Sequence, residues 1–230
     1  MSVDDQGRKK LIAIKDGNRE STPSWREVLL GVKARRLWPA KLATSDGALG
    51  LWAALDGVIP STTHQECWMH KTFNVFNYQP RTTRAKTKDD LHRTWMAESR
   101  DDAAKFMSLF AERYLAKYSR AVTYPHKDLE QLLAFHDSPA ERWLHIPITD
   151  DIESTSATLR HRTKHVKGTF SKVTALVMML QLGLEAQERW HRITAVERLG
   201  ELIQGVRFVD GGHNSLPLII PERYRHFRQS

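Results

Sequence analysis

At 230 residues with 40% hydrophobic side chains, the chain is long enough to bury a core without disulfide or metal staples, and seven Trp with eight Phe argue against disorder. The longest apolar stretch, Val173 to Leu184, is interrupted by Thr174, Gln181 and Gly183 and is too short for a membrane span, and the start MSVDDQGRKK lacks the apolar segment of a secretory signal, so a cytoplasmic protein with no membrane partner is expected. One cysteine, Cys67, excludes an internal disulfide, and a formal charge of +8 favours a polyanionic partner.

In chain order, Lys10 to Ile14 (KLIAI) reads as a short strand followed by turn chemistry in DGNREST. Pro23, Ser24 three residues before Glu27, and Trp25, Val28, Leu29 and Val32 at helical spacing predict a helix over 23–36. Lys41 to Ser45 (KLATS) is a short strand ending at Asp46-Gly47, and Leu51, Trp52 and Leu55 mark an amphipathic helix closed by Gly57 and Pro60. A third extended piece near Gln65 to Met69 completes an alternation typical of α/β domains. From Asp89 to about Trp143 the pattern is helical, with Phe106, Met107, Phe110 and Tyr114 on one stripe and Leu129, Leu132 and Leu133 on another. Pro147 and Thr149-Asp150-Asp151 break that pattern ahead of a helix from Ile152 to about Val166, which Gly168 closes. Helices over 171–190 and 194–204 follow, and the run Val177-Met178-Met179-Leu180, with Leu176 and Leu184, reads as core. From Gly211 the tail is rich in turn-forming and basic residues.

Asp46 stands where a strand runs into a helix, a place that holds a carboxylate rigidly while leaving it open to solvent. Two-metal phosphoryl transfer needs several such carboxylates converging on divalent ions, and one Asp does not suffice. On the dipeptide alone, a turn that caps the next helix is the commoner origin of Asp46-Gly47, so a second signal is needed. Glu153 opens a helix on which Ala157, Arg160 and Lys164 share its face, so that an acidic ligand is followed by a basic track; Ile152, Leu159 and Val166 form the opposite, core-facing stripe. From Ser154 to Leu184 there are five cations, Arg160, Arg162, Lys164, Lys167 and Lys172, and no carboxylate. A solvated helix face with Glu153 favoured at the helix N-terminus is the alternative. His64, Cys67 and His70 allow a Zn²⁺ site to be entertained, but no second cysteine completes one, and strand spacing would put Cys67 and His70 on opposite faces. No GxxxxGK, GxGxxG or HExxH is present, which removes the commonest nucleotide and metalloprotease readings.

Taken together and in order, GRKKLIAIKDGNRESTPSWREVL, ATSDGALGLWAAL, ECWMHKTFNV, IESTSATLRHRTKHVKG and GVRFVDG resemble the mutator-type family of bacterial insertion-sequence transposases. The resemblance implies an α/β, ribonuclease H-like core, a mixed sheet with flanking helices, interrupted by an all-helical insertion. It also implies a catalytic Asp-Asp-Glu set binding Mg²⁺ or Mn²⁺, with Asp46 as the second Asp and Glu153 as the last acid. Cys67 and His70 resemble the family's Cys-x-x-His feature, and Arg160, Arg162, Lys164 and Lys167 become candidate DNA-binding residues. Transposon ends and target DNA are the implied partners, with a homo-oligomer in the intact family and a nucleoid-associated, cytoplasmic location.

On this resemblance residues 1–70 are the first part of the catalytic core, 71–148 the helical insertion, 149–210 the closing helices and 211–230 a tail. The family's first catalytic Asp lies on a strand upstream of Val3, and Asp4 and Asp5, in the turn after it, do not take its place. The expectation is therefore an incomplete fragment, inactive alone, of an enzyme that cleaves and transfers DNA strands. The competing expectations are a catalytically dead DNA-binding or inhibitory fragment and the product of a decayed element. Thr149-Asp150-Asp151 stands where the family commonly has a Thr-Asn pair, and Asp150 and Asp151 add charge beside Glu153.

Overall fold

The structure, a computed structural model, describes residues 1–15, 21–36, 40–140, 143, 146, 171–193 and 197–213. The chain divides into two compact units, one comprising Met1–Lys41, Gly47–Thr62 and Thr149–Gly200, the other Leu42–Asp46, Thr63–Ile148 and Glu201–Ser230. Helix predominates, and among the described residues the strands form three separate two-stranded sheets rather than one mixed sheet.

In the first unit, β1 (Ser2–Val3) pairs antiparallel with β2 (Lys9–Lys10) across a turn built on Asp4. Asp4 Oδ1 accepts from the backbone N–H of Gln6 (3.0 Å) and Arg8 (2.9 Å), and Gly7 takes the left-handed φ of 69° that the turn requires. The strand expected over Lys10 to Ile14 is thus shorter and earlier. Past Lys10 the backbone turns to side chains for its hydrogen bonds, with Leu11 N–H donating to Gln187 Oε1 (2.7 Å) and Arg35 Nη2 donating to Ile12 O (2.6 Å).

Helix α1 (Thr22–Ala34) starts at Ser21, whose hydroxyl accepts from Ser24 N–H, so the cap lies three residues before the Ser24 that the sequence suggested. Helix α2 (Leu49–Val58) packs on α1 through Trp52, Ala54, Leu55 and Val58, and Lys33 Nζ donates to Val58 O (3.1 Å).

Later in the same unit, α8 (Lys172–Gln187) is capped by Ser171, which accepts from Thr174 N–H. The Met-rich run expected to be core is only partly covered: Val177, Leu180 and Leu184 are exposed, at 60%, 44% and 39%, while Leu176, Met178 and Met179 are half-buried. Its closely packed face is instead at Gly183, where an added Cβ would stand 2.7 Å from Leu11 Cδ2. A helix apolar on several sides gives periodicity nothing with which to choose the face that packs. The chain continues into α9 (Glu197–Ile203).

In the second unit, β3 (Leu42–Ser45) and β4 (Thr63–Glu66) pair in parallel, with Leu42 opposite Thr63 and Ser45 opposite Glu66. Helices α3 (Trp68–Phe76), α4 (Arg84–Trp95), α5 (Arg100–Tyr114), α6 (Ser119–His126) and α7 (Leu129–Leu132) follow. The core joins Trp68 and Val75 of α3, Leu91 of α4, Ala103, Met107, Phe110 and Tyr114 of α5, and Leu132, Leu133 and Phe135. Both stripes read from the sequence lie in it, with Phe106 and Leu129 at its margin.

Two buried side chains fasten the Leu132–Phe135 segment to β4. Gln65, fully buried, donates through Nε2 to Glu66 O (2.7 Å) and Leu132 O (3.0 Å) and accepts at Oε1 from Phe135 N–H (2.7 Å). Trp68 Nε1 donates to the same Leu132 carbonyl (2.8 Å). The segment GVRFVDG forms a hairpin, β5 (Phe208–Val209) against β6 (Gly212–His213), around Asp210-Gly211, both at positive φ.

Candidate active site

Parallel pairing brings the carboxyl ends of β3 and β4 level, and the Cys67 N–H donating to Ser45 O (2.7 Å) extends the pairing one residue beyond. Asp46 leaves β3 at that edge and is exposed, its Oδ1 accepting from Ser45 Oγ (3.0 Å). Thr44 Oγ1, donating to Ile146 O (3.0 Å), anchors the strand one residue before Ser45. Gly47 takes φ of 89°, so the chain turns away directly after the acid. The N-cap position of α2 is Ala48, two residues beyond Asp46. The carboxyl end of a parallel strand is where open α/β sheets place ligands, and a hard, exposed oxygen donor there suits a divalent cation such as Mg²⁺.

Beside it in the register, Glu66 is 7% exposed and forms an ion pair with Lys71 on the first turn of α3, itself 3% exposed. Lys71 Nζ also lies 2.7 Å from Asp128 Oδ2. Burial raises the Glu66 carboxyl above its ordinary value, against the hydrogen bond and the attraction from Lys71. Burial pulls the Lys71 ammonium down, but its bonds to Asp128 and Glu66 outweigh that and hold it raised. One cation between two carboxylates leaves the fully ionised cluster with one negative charge. Sequence reading missed this triad because Asp128 lies 57 residues from Lys71; the available signal was a Lys beside Trp68 and Met69 at a helix start.

Cys67, 1% exposed, occupies the N-cap position of α3, and His70 lies within that helix. Helical spacing puts residues three apart on one side, so the opposite-face arrangement expected from a strand over Gln65 to Met69 does not hold. Among the described residues no three His, Cys, Asp or Glu side chains gather in a way that could hold a metal. Glu153, the acids Asp150 and Asp151, and the track Arg160, Arg162, Lys164 and Lys167 lie outside the described residues.

A family model described as "Transposase, Mutator family" matches residues 1–193, a span that contains Asp46, Cys67, His70, Glu153 and the whole basic track. The chain belongs to the Mutator family of transposases. Among its relatives in that family, the transposase for insertion sequence element IST2 of Acidithiobacillus ferrooxidans is 44% identical over 92% of this chain and 72% of its own length. The IS6120 transposase of Mycolicibacterium smegmatis is 38% identical over 92% of this chain and 65% of its own length. The ISRM5 transposase of Rhizobium meliloti is 28% identical over 83% of the chain, which spans about half of that protein, 48%. In this Mutator-family chain, among the described residues, no helix is long and apolar enough to cross a membrane.

Proposed function

We propose that the chain supplies part of the catalytic centre of an insertion-sequence transposase, an enzyme that cleaves and joins DNA strands by metal-dependent phosphoryl transfer on a ribonuclease H-like core. Asp46 and Glu153 hold Mg²⁺ or Mn²⁺ in this reading, and transposon ends and target DNA are the substrates. The observation that carries it is the exposed Asp46 carboxylate at the end of a parallel strand, in a chain of the Mutator family. A bound divalent pair would activate the attacking oxygen and stabilise the leaving one. The chain's own contribution is positional. Thr44 and the β3–β4 pairing fix the backbone before Asp46, and the positive φ of Gly47 turns the chain directly after it. Arg160, Arg162, Lys164 and Lys167 contact the phosphate backbone on either side of the cut, adding an electrostatic term that weakens with salt.

Metal binding is read by titrating Mn²⁺ into the 230-residue chain and following heat release. Asp46→Asn and Glu153→Gln are each expected to weaken binding by about tenfold or more; wild-type affinity in both variants rejects the two acids as ligands. The basic track is tested by replacing Arg160, Lys164 and Lys167 together, which should lower the slope of log affinity for duplex DNA against log salt by about 2.7. An unchanged slope rejects it.

A further inference from the structure

The second unit carries a small open cleft of about 280 Å³ lined by Tyr78, Arg120, Thr123, Tyr124 and Lys127. None of its lining residues is among those assigned to phosphoryl transfer. Its composition follows from local sequence: Arg120, Thr123, Tyr124 and Lys127 fall at i, i+3, i+4 and i+7, one stripe along α6, while Ala121, Val122 and Pro125 are buried. Tyr78 follows the end of α3 and is 40% exposed.

Both rings are held in defined places. Their centroids are 6.0 Å apart at an interplanar angle of 50°, too tilted to stack on each other and open as a wedge. Asn74 Nδ2 donates to Tyr124 Oη (3.1 Å), and Lys71 Nζ lies 4.3 Å from the centroid of the Tyr124 ring, so that side chain is oriented before any ligand arrives. Lys127 Nζ stands 5.3 Å from the same centroid, with Asp128 Oδ2 at 3.7 Å offsetting part of its charge. The cleft sits where two basic stretches meet: residues 67–88 hold five Lys or Arg and no carboxylate, and residues 113–127 hold four and none.

An exposed aromatic ring beside cations is the element that binds single-stranded nucleic acid, the ring stacking on a base and the cations meeting phosphates, and Tyr78 is that ring here, with the half-buried Tyr124 as the wall behind it. A volume just below the roughly 300–1,000 Å³ of pockets that enclose whole ligands suits one nucleotide of a longer strand. We infer that this cleft receives an unpaired nucleotide of the DNA being processed, its base stacked on Tyr78 and its flanking phosphates on Arg120 and Lys127. The inference rests on the DNA-transposase reading and deepens it by naming a site for a base that has left the duplex.

The experiment is fluorescence anisotropy with a short labelled single strand and the blunt duplex of the same sequence. Tyr78→Ala should weaken single-strand binding by about tenfold, the order of one lost base stack, and leave duplex binding within about twofold. Tyr78→Trp, which keeps a π face, should bind the single strand as wild type does. Arg120→Ala with Lys127→Ala should lower the single-strand salt slope by about 1.4, and because both cations are exposed this variant reports even where Tyr78→Ala does not fold. Unchanged single-strand affinity in Tyr78→Ala, an equal loss for both DNA forms, or an unchanged salt slope overturns the cleft while leaving the transposase reading in place. Wild-type chain that binds neither DNA form overturns both.

Discussion

Lys71 Nζ lies 2.7 Å from Asp128 Oδ2, an ion pair that closes 57 residues of sequence and joins the first turn of α3 to the residue before α7. Because Lys71 also pairs with Glu66, the two neighbours are not equivalent to their shared cation. Lys71→Met leaves a buried Glu66 with no compensating charge and is expected to cost about 3 kcal/mol in urea unfolding. Glu66→Gln leaves the Lys71–Asp128 pair intact and removes a carboxylate that burial already disfavours, so its cost should be under about 1 kcal/mol. The pH dependence follows from the raised Lys71 value: its contribution is fully present below the ordinary 10.5 and is lost as pH rises through the raised value. Equal costs for the two variants would reject the shared-cation account.

Where side chains repeat at a fixed period, the fold was legible in the sequence. The stripe Met107, Phe110 and Tyr114 lies in the core of the second unit, and the strand ending at Asp46 is where KLATS-Asp-Gly placed it. Gln65 and Lys71 were not legible, because a polar side chain is buried only when distant partners satisfy it, and theirs come from Leu132, Phe135 and Asp128. Nor was the face of α8: Leu11 closes on Gly183, and this contact rather than the helix's own pattern leaves Val173 and Val177 exposed. The Ser21 cap was missed because Ser21 and Ser24 both flank Pro23, and only backbone geometry separates the capping residue from the capped one. Of the candidate site, Asp46 and Glu153 with its basic track could each be argued locally, beside a helix cap or a solvated face as the alternative, whereas their pairing in one site entered through the family resemblance.

Gln65 gives a test of how the segment after α6 is held. Gln65→Leu removes the acceptor for Phe135 N–H, while Leu132 O keeps its bond from Trp68 Nε1. One orphaned buried donor predicts a loss of about 2 kcal/mol. The signature is local: the Phe135 amide should exchange with solvent far faster in the variant. Gln65→Glu should be worse at neutral pH, since its carboxylate faces the carbonyls of Glu66 and Leu132 that now receive the amide's hydrogens. Wild-type protection of Phe135 in Gln65→Leu would show that the hydrogen bond does not hold the segment.

Asp4 couples the β1–β2 hairpin to pH. Burial tends to raise its carboxyl, but hydrogen bonds from the backbone and side chain of Arg8 and from Lys10, with the attraction of Arg8, hold it down at about 2. A depressed carboxylate contributes stability that is present above its unfolded value near 3.8 and is lost as pH falls from there through about 2. Solvent screening limits the contribution to about 1 kcal/mol. Asp4→Asn should remove this acid transition from the Gly7 and Arg8 amide exchange rates while leaving the exchange of α5 unchanged. A transition at the same pH in the variant would assign it to another group.

The hairpin of GVRFVDG should tolerate little change at Gly211, although it lies outside the candidate catalytic acids. Gly211 has φ of 74°, and a Cβ there would stand 2.5 Å from Ala140 Cβ and 2.8 Å from Trp143 Cζ2. Its N–H donates to His136 O (3.0 Å) and its carbonyl accepts from Ala140 N–H (3.2 Å), so the glycine cannot retreat without losing two backbone bonds. Gly211→Ala therefore combines left-handed strain with a steric clash, and a loss of about 2–3 kcal/mol is expected. Asp210, also at positive φ, accepts from Arg100 N–H at the start of α5 (2.7 Å), so shifting the hairpin should disturb that helix end as well. Amide exchange at Arg100 separates the two effects: faster exchange there in Gly211→Ala shows that the turn holds the helix start, and an unchanged rate confines the damage to the turn.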